Sequence, residues 1–98
     1  MTTRNYTSLI IIEKEEVEGL HFPDSDVLKS LEEINRRSSE LQRAMLLGNN
    51  YKGKVKIVFE DSISIKQVET TVWGFTDKRV ILKKELLIPI HRIFEILT

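Results

Sequence analysis

Between Lys54 and Leu97 the chain passes through short runs of β-branched and aromatic residues separated by turn signals, and the apolar residues of these runs fall on both faces. In "VKIVFE" Val55, Ile57 and Phe59 share one face, while Val58 takes the other. In "KQVETTVWGF" Val68 and Trp73 cannot both join Val72, and Ile81, Leu87 and Ile93 oppose their apolar neighbours in the same way. A flat sheet with one wet face would leave one of these sets in water. The pattern therefore predicts a meander of five antiparallel strands over 54–97 that curls into a small barrel. Gly74 inside the longest run marks a bend or bulge, and Pro89, which cannot donate to a ladder, marks an edge or a corner.

The second face needs cover, and a helix supplies it. Val27, Leu31, Ile34, Leu41 and Met45 recur at alternating steps of three and four, with Ser38 filling the missing step and Leu28, Ala44 and Leu47 widening the stripe. Asp24 or Ser25 caps the start, and Gly48 before Asn49 and Asn50 supplies a left-handed stop. The spacing predicts a helix over 24–48 with Leu31 and Ile34 against the barrel. Glu32 and Arg36, like Glu33 and Arg37, stand four apart and read as solvated ion pairs. Ahead of the helix, residues 1–22 hold an apolar strand or arm, "SLIII", and a connection containing Gly19 leads to Pro23.

At 98 residues the chain is one small domain, with 41% hydrophobic and 31% charged residues. It has no cysteine, which fits a reducing compartment and leaves no disulfide framework or thiolate metal site. Apolar runs such as "LIII" and "LLIPI" fall far short of the ~20 residues a membrane span needs, and no signal-peptide pattern opens the sequence. No membrane contact is expected, and the cytoplasm is the expected location. Net charge is zero, but residues 1–51 carry six Lys/Arg against nine Asp/Glu, and residues 52–98 carry nine against six. This is a weaker basic bias than dedicated nucleic-acid binders show.

Catalytic chemistry finds little to work with. His91 could serve as a base or ligand, but His21 is the one other histidine, and no His-x-x-x-His spacing, nucleophile elbow or glycine-rich phosphate loop is present. His91 and Arg92 in "IPIHRIFEI" read as the polar corner of a strand–turn–strand, and Trp73 as a core or helix-facing residue. We expect no enzyme activity, no metal and no cofactor.

The blocks "EEINRRSSEL", "LLGN", "VKIVFED", "VETTVWG" and "IPIHRI", in that order over Leu31 to Ile96, resemble a family of small uncharacterised bacterial proteins. The strand pattern is also similar to the Rho-inhibitor (Rof-like) proteins and to the wider Sm-like group. That resemblance implies a mainly β, α+β fold: an N-terminal helix packed on a strongly bent, five-stranded antiparallel SH3-like or Sm-like barrel. Two loops would then meet at one end, gathering Asp77, Lys78, Arg79, His91 and Arg92 as a binding face. In Sm proteins the corresponding loops contact RNA, whereas the Rof-like group implies a protein-binding regulator. A regulatory or adaptor module with a protein partner is the expectation, and weak RNA binding is the alternative.

Overall fold

The computed structural model describes residues 6–98, which form an α+β fold of one long helix and seven strands. Strand β1 (Ile10–Ile12) is followed by a 3-10 segment, Lys14–Gly19, and by an irregular connection to helix α1 (Leu31–Tyr51). Strands β2 (Val55–Glu60), β3 (Ile65–Thr70), β4 (Val72–Phe75), β5 (Arg79–Leu82), β6 (Leu86–Pro89) and β7 (Ile93–Leu97) complete the chain. They build a four-stranded sheet ordered β1-β3-β2-β7 and a three-stranded sheet ordered β4-β5-β6.

This corrects the expected barrel. The sheets stay open, β1 joins β3 in parallel, and the helix is not N-terminal, because a strand and a 3-10 turn precede it. The single long strand expected over "KQVETTVWGF" is interrupted at Thr71, so that β3 belongs to one sheet and β4 to the other.

Bulges solve the two-faced pattern without closing a barrel. Val58 pairs with Glu95, but the next partner of Phe59 is Ile93, which leaves Phe94 as an extra residue in β7. Val72 pairs with Leu82, but Gly74 pairs with Ile81, which leaves Trp73 as an extra residue in β4. An extra residue reverses the alternation of faces. Ile93 and Ile96 therefore both reach the core, as do Val72 and Phe75, although each pair stands three apart in the chain. Trp73 is correspondingly half exposed rather than buried. Gly74 takes no left-handed conformation, and a Cβ there would meet nothing, so the bulge does not depend on its lack of a side chain.

Helix α1 lies across the two sheets and packs on β7 and β4, one outer strand of each. Arg37 donates to the Ile93 carbonyl oxygen (3.0 Å), and Glu40 accepts from the Ile96 N–H (2.8 Å). These residues, three apart on one helical face, thus satisfy backbone groups on the strandless side of β7. Leu41 and Ala44 enter the core from the same face, and Gly48 brings the helix backbone onto the carbonyl of Val72. The buried stripe is therefore rotated from the one expected: Leu31 is 72% exposed, and Arg37 and Glu40 are buried rather than solvated.

The helix also begins and ends differently. Its start is an N-cap at Ser30, whose Oγ accepts the Glu33 N–H (3.1 Å) and donates to the Glu33 carboxylate (3.2 Å). Residues 24–30 stay outside it, held by an Asx-turn in which Asp26 accepts the Leu28 N–H. Its stop is Lys52, in the left-handed region at φ 53°, with Gly48 well inside the helix.

Gly48→Ala should therefore lower stability by roughly 1–3 kcal/mol or more, as overpacking does when backbone must move. Leu31→Ala should change it by less than about 0.5 kcal/mol, as exposed substitutions do. Urea melts of the two variants will separate these outcomes.

Candidate functional site

The connection before the helix clasps the "HR" corner. His91 Nε2 lies 2.8 Å from the Pro23 carbonyl oxygen, and the His91 carbonyl accepts the Val27 N–H (2.9 Å). Arg92 donates from Nε to the Glu60 carbonyl (3.0 Å), from one terminal nitrogen to the Glu60 carboxylate (3.1 Å), and from the other to the Ser25 carbonyl (2.8 Å). Arg92 is 5% exposed, so its guanidinium is a tie between β2, β7 and the connection and cannot meet a partner. This corrects its placement on the expected binding face.

The remaining four residues do come together. The Ile90 N–H donates to the Lys78 carbonyl (2.9 Å), so the 76–79 turn and the 90–92 corner are neighbours. Thr76 shapes that turn, its hydroxyl oxygen accepting the N–H groups of Lys78 and Arg79. Asp77, Lys78, Arg79 and His91 line one cleft of about 1250 Å³ together with the 3-10 segment, the connection and β6. Its apolar part is Val17, Leu20, Phe22, Leu86, Leu87 and Ile90. The cleft lining carries no excess of positive charge. Six carboxylates (Glu15, Glu18, Asp24, Asp26, Asp77 and Glu85) face four cations (Arg37, Lys78, Arg79 and Lys84). Two of these pairs neutralise each other, Asp26 with Arg37 and Glu15 with Lys84.

Sequence reading missed the charges that the fold buries. Asp26 grips Arg37 with both oxygens (3.0 and 2.9 Å), and Asp61 grips Lys66 (2.9 and 3.0 Å) while accepting the Ser64 and Ile63 N–H groups. Burial alone would raise both aspartates, but these guanidinium, ammonium and N–H donors outweigh it and hold both below their ordinary value of 3.8. Glu40 goes the other way: burial pushes it above 4.5, the Ile96 N–H opposes this, and the charge of Glu95 adds to it. Glu95 accepts from the Tyr6 hydroxyl with one oxygen, while its other oxygen has no hydrogen-bond partner among the described residues. "Asp-Ser-Asp" ahead of a helix reads as a cap, and nothing in it signals an arginine eleven positions away.

No group of three or more potential metal ligands and no helix long and apolar enough to cross a membrane occurs among the described residues. No family model, curated protein or solved structure matches the chain.

The carboxylates set opposite pH dependences. For Asp26 and Asp61, the folded state binds the proton less well than the unfolded one, so their stabilisation is complete above about pH 4 and is lost as pH falls through the depressed values. For Glu40 the folded state binds the proton better, so stability declines as pH rises from 4.5 through its raised value. Asp61→Asn, which strands Lys66, should cost roughly 3 kcal/mol at neutral pH and converge on the parent in acid. Glu40→Gln should be more stable than the parent at neutral pH, with the gap closing below pH 4.5. Urea melts across the acid range check both signs.

Proposed function

We propose that the protein is a non-catalytic regulatory or adaptor module of the cytoplasm that binds a protein partner in the cleft lined by Asp77, Lys78, Arg79 and His91. The observation that carries this reading is the make-up of the cleft. Apolar side chains, with Leu87 47% exposed, share its lining with charged groups of both signs. Such a mixture resembles a protein–protein contact, with apolar anchors inside and polar groups around them. The strand pattern, which is similar to that of the Rho-inhibitor (Rof-like) proteins, points the same way. RNA binding through this end draws less support, because carboxylates in the lining outnumber Lys and Arg and oppose a phosphate backbone.

The test is capture by immobilised protein from a nuclease-treated cytoplasmic extract, beside a Leu87→Glu variant of matched melting temperature. We expect one or a few proteins to be retained after nuclease, with retention weakened about tenfold or more by the variant, the scale of losing one anchor. Retention that disappears with nuclease, or that Leu87→Glu leaves unchanged, overturns the reading.

A further inference from the structure

The two sheets have four outer strands, and β6, which packs against the 3-10 segment Lys14–Gly19, is the one whose residues Leu86, Leu87 and Pro89 line the cleft. Its register fixes which backbone groups face outward. The Ile90 N–H bond to Lys78 makes that pair a hydrogen-bonded one, so the alternation of an antiparallel ladder leaves Arg79↔Pro89 and Ile81↔Leu87 as non-bonded pairs. The N–H and C=O of Leu87 and the C=O of Pro89 therefore point away from β5. Among the described residues, Leu87 makes no backbone hydrogen bond on that side. Proline has no N–H, so this edge offers two acceptors and one donor.

The charge around the edge carries the same bias. Once the Asp26–Arg37 and Glu15–Lys84 pairs are set aside, Glu18, Asp24, Asp77 and Glu85 form no ion pairs among the described residues, against Lys78 and Arg79. All six are exposed.

Resting on the protein-binding reading above, we infer that the cleft receives an extended, cationic segment of the partner protein, laid along β6. Its backbone would pair with Leu87. Its alternate side chains would go, on one side, to the apolar side chains of Phe22 and Leu87 and, on the other, as Lys or Arg, to these four carboxylates. Strand addition supplies main-chain hydrogen bonds whatever the sequence, so the charge on alternate side chains sets the selectivity.

The probes are two capped heptapeptides, one alternating valine with lysine and the other valine with glutamate, titrated into the isotope-labelled full chain. The lysine peptide should shift the Leu87 amide resonance and slow its hydrogen exchange, with an affinity that falls as salt rises, and the glutamate peptide should bind at least about tenfold more weakly. Asp77→Lys with Glu85→Lys, both at exposed positions, should reverse that preference while Leu87 stays the centre of the response. Equal binding of the two peptides, perturbation centred away from β6, or displacement of the lysine peptide by single-stranded RNA with the RNA itself bound more tightly would overturn the inference. No response to either peptide also overturns it. In that case capture of a nuclease-resistant partner that still depends on Leu87 keeps the protein-binding reading, and loss of capture as well brings both down.

Discussion

The exposed backbone of β7 is the constraint on which the architecture turns. A strand with no neighbour on one side leaves N–H and C=O groups that must find partners if the edge is buried. Here a helix supplies them, Arg37 to the Ile93 carbonyl and Glu40 to the Ile96 N–H, at 3.0 and 2.8 Å. Burying an arginine for this purpose requires a counter-charge, and Asp26 provides it from the connection ahead of the helix. That requirement explains why the helix starts at Leu31 and not at Asp24. Residues 24–30 are needed as an irregular strap, because helical geometry would not let Asp26, Ser25 and Pro23 reach Arg37, Arg92 and His91 together.

The other end of α1 covers an edge by different means. Gly48 lets the helix backbone approach β4 so closely that no side chain fits between them. One helix thus closes an outer strand of each sheet, polar side chains at one end and bare backbone at the other. The fold stays open as two sheets because the helix fills the gap that further strand pairing would otherwise close.

The legibility of the fold follows from this. Strand positions from β2 to β7 were readable, because β-branched and aromatic runs between turn residues record local preference. Apolar residues on both faces of the strands are equally visible in the sequence. A bulge and a barrel leave the same trace in a sequence, apolar residues at odd spacing, as at Ile93 and Ile96, so this pattern does not by itself imply closure. Pairing partners decide between them, and these are set across the sheet. The helix was readable as an element, and Leu41 and Ala44 of its expected stripe are buried, but the rest of its buried face was not readable. Hydrophobicity picks Leu31, whereas the face actually buried contains Arg37, Glu40 and Gly48. For the site, the meeting of the 76–79 turn with the 90–92 corner follows from strand direction and was foreseeable. Arg92, one residue beyond His91, turns inward to Glu60 and Ser25, and this was not foreseeable from charge.

The strand edges that α1 does not reach are β1 and β6. The first is three residues long, which itself limits what can pair with it. The second ends in Pro89, which removes one donor, and has Glu85 and Asp77 near its two ends. A second copy of this chain approaching β6 with its own β6 would bring like carboxylates together, and the missing Pro89 N–H would leave a facing carbonyl without a donor. Self-pairing is therefore disfavoured by the features that leave the edge receptive to a segment of opposite charge. Proline and acidic residues are often read simply as protection against aggregation. At this edge they also discriminate among partners, because what repels an identical strand attracts a cationic one.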